Sequence, residues 1–272
     1  MTVVLGLLGS NGAVIGADTQ LTAGNIKATA TKVMAAKSEV PAPVKSFAIG
    51  GAGDYGYFQS LRMKLCRSII EAMDACIKGN VPFDTNIVED KINSALLPFY
   101  NDSIIPFYKC PEEDRPDVYT ISALWARGAG SLWATDKMSV RLGLAGYDSV
   151  GYGAALATEY LHGLYREQSS VESLALLAIY VIWHVKRLMQ LVGHETEIVV
   201  VGEGVSTHLE REFIQAIEQV FTQYVSAQAN VFNFVVGNQD GSEASKKFGE
   251  VRALLDQVRQ QISAIMSSSS HT

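Results

Sequence analysis

Cysteine is scarce in this 272-residue chain. Cys66, Cys76 and Cys110 make an odd count, and no two have the close spacing of a zinc or redox motif. They read as buried thiols of a reducing compartment rather than as a disulfide framework. The five histidines, His162, His184, His194, His208 and His271, fall in no H-E-x-x-H or similar ligand pattern, so no metal and no cofactor is expected. Basic charge is also short, with 22 Lys and Arg against 28 Asp and Glu and a net charge of −6. That balance argues against nucleic acid as a partner. The longest apolar run, Leu174 to Trp183, is shorter than the ~20 residues a membrane-spanning helix needs. It reads as a buried core helix, with no membrane partner expected. The start, Met1-Thr2-Val3-Val4, has no basic stretch or cleavage site of a signal peptide, so a soluble, cytoplasmic protein is expected. Missing too are the G-x-S-x-G nucleophile elbow, the P-loop, and G-x-G-x-x-G after a strand.

What remains is an ordinary globular composition, with 48% hydrophobic residues and 23 glycines. A chain this long buries roughly 70–75% of its extended surface and needs no staples. Val3 to Leu8 and Ala13 to Ala17 read as strands joined by Gly9-Ser10-Asn11-Gly12, where Asn-Gly predicts a tight hairpin turn. Ser46 to Gly50 reads as a strand entering a glycine-rich turn, Gly50 to Asp54. Phe58, Leu61, Leu65, Ile69, Met73 and Cys76 recur every three or four residues, which predicts a helix over 55–77. A second helix is predicted over 85–97, and the four prolines of 98–116 predict a loop or small insertion.

Farther on, Val118 to Trp125, Ser131 to Thr135 and Val140 to Gly143 read as strands, the first two joined by Arg127 to Gly130. Gly151-Tyr152-Gly153 opens a helix over 154–165, another spans 172–192, and Glu197 to Val201 reads as a strand. Ser149 reads as structural. Thr207 and Glu210 have capping-box spacing for a helix reaching about residue 227, Phe232 to Val236 reads as a late strand, and Phe248 to Ile265 forms a final amphipathic helix. Strands and helices segregated into runs indicate an α+β layered domain rather than a βαβ parallel sheet.

Thr2 carries chemistry through its position. Initiator methionine is removed before small residues, which would leave an α-amine of pKa ~7.7–8.0 beside a hydroxyl on one residue. Such a residue brings nucleophile and base together. From position alone, the start of a strand is the commoner role.

The surrounding residues resemble the proteasome β-subunit family of N-terminal nucleophile hydrolases, including its bacterial HslV-type branch. The likeness runs through Thr2-Val3-Val4-Leu5-Gly6, Val14-Ile15-Gly16-Ala17-Asp18, the stretch Asp18 to Asn25, Thr31-Lys32-Val33, and Ala48-Ile49-Gly50-Gly51-Ala52-Gly53-Asp54. It is specific over 2–77, looser over 118–204, and does not extend into the C-terminal region.

The resemblance implies a four-layer αββα sandwich, with a hydrolase domain over 1–230 that carries the 98–116 insertion. A C-terminal extension over 231–272 would pack its amphipathic helix on the same domain. It implies a threonine endopeptidase acting on peptide or unfolded protein through an acyl-enzyme on Thr2 once Met1 is removed. Asp18 would keep Lys32 charged beside the Thr2 hydroxyl, and the Gly50 N–H would form the oxyanion hole. Leu21, Ala30, Met34, Ala48 and Ala52 would line the pocket for the side chain before the cut bond and favour hydrophobic groups.

A homo-oligomeric ring and an ATPase unfoldase partner are implied by the resemblance alone. The chain departs from the family at Tyr152, where most active members carry a serine, and at Met189 and Val192, where many have aspartate and serine; the bacterial branch also departs from that pattern. Two alternatives stay open: a catalytically inactive ring or scaffold subunit of the same fold, and an acyl-transfer peptide ligase.

Overall fold

The computed structural model describes residues 2–23, 26–35, 46–78, 84–111, 115–143, 145–235 and 241–269. The first strands, β1 (Val3–Leu8) and β2 (Ala13–Asp18), pair antiparallel. The turn between them is not the tight type predicted from Asn-Gly. Gly9 N–H bonds Gly12 O at 2.8 Å, neither Asn11 nor Gly12 has positive φ, and the Asn11 side chain instead accepts the Val171 N–H at 2.8 Å. Asn11 thus satisfies a helix N-terminus rather than its own turn.

Two five-stranded antiparallel sheets follow. The first has the order β10 (Tyr147–Gly151), β1, β2, β11 (Thr196–Gly202), β12 (Val205–His208). The second has the order β5 (Val33–Ala35), β6 (Phe47–Gly53), β7 (Val118–Ala126), β8 (Ala129–Asp136), β9 (Ser139–Leu142). Strands β3 (Gln20–Ala23) and β4 (Ile26–Thr29) form a separate hairpin.

The sheets bury both faces, which is why β1 reads as an apolar run rather than an alternation. Val4, Ile15, Ala17 and Val199 of the first sheet meet Ala48, Ile121, Ala123, Leu132 and Ala134 of the second. Small residues dominate this contact, and a Cβ on Gly6 would fall 2.5 Å from Leu132 and 2.6 Å from Ile121. On the outer side of the first sheet, Val3, Leu5, Leu7, Val14 and Val200 pack against α3 (Ala154–Leu164), α4 (Val171–Leu188) and α5 (Arg211–Val235). On the outer side of the second, Phe47, Ile49 and Trp133 pack against α1 (Tyr55–Lys78) and α2 (Thr85–Ser103). The result is an α+β architecture with helices on each outer face of a sheet pair.

Several local expectations are overturned. The glycines after Ile49 are not a turn; β6 runs through them to Gly53. Residues 98–116 are not a loop throughout, because α2 continues through Pro98 to Ser103 and a 3-10 turn follows at Ile105–Lys109. Proline costs a helix one backbone bond. Here the buried Leu96, Phe99 and Tyr100, with the Tyr100 hydroxyl donating to Val118 O at 2.9 Å, hold the helix across it. Thr207 lies in β12, so no capping box forms with Glu210; α5 opens at Arg211, and Ile214 N–H bonds Glu210 O at 3.1 Å. The late strand expected at 232–236 is the end of α5, with residue 236 outside the described residues. Cys66 is buried and Cys110 half-buried, while the Cys76 side chain lies outside what is described.

The C-terminal helix α6 (Gly241–Ser269) joins the main core. Ile262 is fully buried in the cluster around α4, with Leu255, Val258 and Ile265 beside it. Helix α5 also crosses residue 230 without a break. Among the described residues no helix is long and apolar enough to cross a membrane.

If α6 is integral to the domain, Ile262→Ala lowers unfolding stability by about 2–5 kcal/mol. A urea denaturation curve should show one cooperative transition with a lower midpoint and unchanged slope. A midpoint equal to wild type would place α6 outside the cooperative unit.

Candidate active site

At one end of the sheet pair, β2 finishes on Asp18, whose side chain is fully buried. A buried carboxylate is tolerated only when paired and hydrogen-bonded. Asp18 accepts N–H groups from Val3 at 2.9 Å, Gln20 at 3.1 Å and Gly193 at 3.2 Å, and the Lys32 ammonium lies 3.3 Å from both its oxygens. The Thr2 hydroxyl donates to its Oδ1. Four separate stretches of chain therefore converge on one carboxylate.

Lys32, just before β5, is equally enclosed at 2% exposure. Its three donor hydrogens have partners: Thr2 Oγ1 at 2.5 Å, the Gln20 carbonyl at 2.5 Å, and Asp18. Burial pushes the Lys32 pKa below its usual value, while the charge and hydrogen bond of Asp18, and then the charge of Glu197, push it back up. Glu197, on β11 and itself buried, accepts the backbone N–H of Lys32 at 2.8 Å and of Val33 at 3.4 Å.

Thr2 is 4% exposed and sits at the edge of an open cleft of about 670 Å³. The Gly-Tyr-Gly turn fixes its backbone. Gly153 N–H bonds Thr2 O at 3.1 Å, and Gly151 has φ of +94°, with room for no side chain because a Cβ would lie 2.5 Å from Thr2 O. Tyr152 projects outward at 53% exposure and lines the cleft. Ser149 is structural in its contacts, donating to Ala154 O at 2.9 Å and sharing a 2.7 Å hydrogen bond with the Thr158 hydroxyl.

The structure therefore brings Thr2, Asp18 and Lys32 together. It does not aim Gly50 at them. In an antiparallel ladder, hydrogen-bonded pairs alternate. Trp125 N–H to Ser46 O and Asp54 N–H to Asp117 O set that alternation between β6 and β7. With Gly50 opposite Ile121, its N–H points toward β7. On the other side it is Gly51 whose N–H meets the Lys32 carbonyl, at 3.0 Å.

Of the expected pocket residues, Leu21 and Ala52 share a small hollow with Thr2 and Lys32. Ala48 lies between the sheets, Met34 packs toward the core under α1 and α2, and Ala30 bonds its N–H to Thr19 O at 2.9 Å. Tyr55 and Phe58, on the first turn of α1, close the hollow along with Gly51 and Gly53. Sequence reasoning placed Phe58 on an apolar stripe but had no signal that this turn abuts Thr2.

Met189 ends α4 against the helical core and Val192 is buried, so neither supplies a polar group here. Gly193 does, through its backbone N–H to Asp18. A Cβ at Gly193 would fall 2.5 Å from Gln20 Oε1. His194 holds a φ of +59°, and its carbonyl accepts the Lys186 ammonium at 3.1 Å.

A hydroxyl that gives its proton toward a carboxylate, with an ammonium against its oxygen, is set up to carry developing negative charge. Among the described residues no group of three or more His, Cys, Asp or Glu is placed to hold a metal ion. Compared with models of known protein families and with curated proteins, the chain matches neither.

Removing one partner of a buried pair strands the other. Asp18→Asn and Lys32→Met should each destabilise by about 3–5 kcal/mol, and the double variant by less than the sum. Chemical denaturation of the four proteins tests this, and strict additivity would contradict the pairing. The lowered Lys32 pKa also predicts a sign. Between the folded-state pKa and the unfolded value of 10.5, the unfolded chain binds the extra proton, so stability gains with rising pH there. Lys32→Met should remove that gain from the difference between the two pH-stability curves.

Proposed function

We propose that the chain is a proteasome-like threonine peptidase with the αββα N-terminal nucleophile hydrolase fold. The observation that carries this reading is the Thr2 hydroxyl held between the Asp18 carboxylate and the Lys32 ammonium, with Lys32 Nζ 2.5 Å from Oγ1. The layered sheets with outer helices support the fold part of the proposal.

The mechanism needs Met1 removed, because only then is the Thr2 nitrogen an amine rather than an amide. That amine takes the hydroxyl proton as Oγ1 attacks the scissile carbonyl, and the carbonyl oxygen becomes an oxyanion. The protonated amine then passes its proton to the leaving amine as the C–N bond breaks, leaving an acyl ester on Thr2. Water, deprotonated by the same amine, attacks the ester and releases the acid and the free hydroxyl. Lys32, kept charged by Asp18, stabilises the forming alkoxide. The Gly50 N–H belongs to the β6–β7 ladder, and Gly53 at the end of β6 lines the hollow beside Thr2. Leu21, Ala52, Tyr55 and Phe58 give the hollow of about 10 Å³ beside Thr2 a largely apolar wall, and the peptidase reading sets the side chain before the cut bond against that wall.

By the same resemblance, a homo-oligomeric ring and an ATPase unfoldase complete the assembly in the cytoplasm. One observation favours the scaffold reading instead: Tyr152 stands exposed where most active members of the resembled family place a serine that supports the terminal amine.

The chain bearing Thr2 as its first residue, assayed on a fluorogenic peptide panel, should cut after hydrophobic residues. Thr2→Ala should lower the rate by at least about a thousandfold. Equal rates in Thr2→Ala would overturn the mechanism, no cleavage by either protein would favour the scaffold, and ligated product with little hydrolysis under excess amine would favour the ligase.

A further inference from the structure

Glu197 spends a buried charge on a task that a neutral group could do. Its side chain belongs to β11 of the first sheet, yet its Oε2 accepts the N–H of Lys32 at 2.8 Å and of Val33 at 3.4 Å, at the start of β5 in the second. Glu197 is 7% exposed. Two backbone donors would be served by a glutamine oxygen without the cost of desolvating a carboxylate. What the charge adds is a second anion beside Lys32.

Residues 30–32 have no regular structure of their own, so the position of Lys32 depends on ties at its flanks. One is Gly51 N–H to Lys32 O at 3.0 Å, another is Ala30 N–H to Thr19 O at 2.9 Å, and Glu197 supplies a third across the gap between the sheets. The groups that face Lys32 are Asp18 from β2, Glu197 from β11, Tyr55 from α1, and Thr2 with its amine once Met1 is gone. Glu197, Thr31 and the exposed His208 line a second, open hollow.

We propose that Glu197 is a positioning residue for the reaction: it fixes Lys32 against the Thr2 oxygen and helps to keep that lysine charged. The proposal rests on the peptidase reading and adds a carboxylate to it. Glu197 acts through Lys32 and does not touch Thr2.

Glu197→Gln is the discriminating variant, because its amide oxygen still accepts both N–H groups while the charge is lost. In the protein with Thr2 first, kcat should fall about tenfold with KM within about twofold of wild type. The alkaline limb of the kcat/KM profile should move to lower pH. In parallel, the Lys32 ammonium is titrated by NMR in lysine-labelled protein, and Glu197→Gln should shift that titration to lower pH. A tie that is only structural would leave both the pH limb and the titration at their wild-type positions, which would overturn the proposal. If wild type hydrolyses nothing, the peptidase reading fails; the NMR titration still decides, on its own, whether Glu197 sustains the Lys32 charge.

Discussion

The Asp18 carboxylate and the Lys32 ammonium are buried together, and most of the site's geometry follows from what that burial demands. A carboxylate removed from water needs its lone pairs occupied, and an ammonium needs acceptors for its hydrogens. Asp18 recruits β1 through Val3, the chain after β2 through Gln20, the approach to β11 through Gly193, and the approach to β5 through Lys32. Each partner lies on a different stretch, so satisfying one charge sets the mutual positions of both sheets at this end. Thr2 is drawn into the same network because its hydroxyl is one donor to Asp18 and one acceptor for Lys32. Nucleophile alignment in the proposed reaction is therefore a by-product of electrostatic necessity in the fold.

Backbone groups supply part of the polar support at this site. Met189 and Val192 offer no polar atoms, but the loop they belong to delivers the Gly193 N–H to Asp18. A Cβ on Gly193 would meet the far end of the Gln20 side chain, which would have to shift. Gly151 plays a comparable part under Thr2, where a Cβ would press on the Thr2 carbonyl. Polar support at this end of the sheets thus includes turns whose glycines permit close approach.

Legibility in the sequence followed the range of the interaction. The strands β1 and β2 and the long helices could be named because local pattern carries them, Thr2 because of its position, and Asp18 and Lys32 only through the family resemblance. The sheet pairing of β10 and β12 could not, since short strands with mixed burial leave little periodicity. Helix α2 crosses Pro98 because Phe99 and Tyr100 are buried against distant partners, which a local rule about proline does not see. Whether the Gly50 N–H faces the cleft or β7 depends on the parity of a ladder, and a one-residue change of register would reverse it. Glu197 and Gly193 lay in a region where the resemblance is loose, and each acts across more than 160 positions of chain.

The central claim is that the Thr2 hydroxyl, in this setting, is a nucleophile when its own amine is free. Intact mass spectrometry after exposure to a hydroxyl-directed electrophile addresses it without any assumption about substrate. The protein beginning at Thr2 should gain one adduct, mapped to residue 2, while Thr2→Ala and Lys32→Met gain none on the same timescale. A chain that stays unmodified with its terminal amine free, or an adduct that persists in Thr2→Ala, would contradict the account.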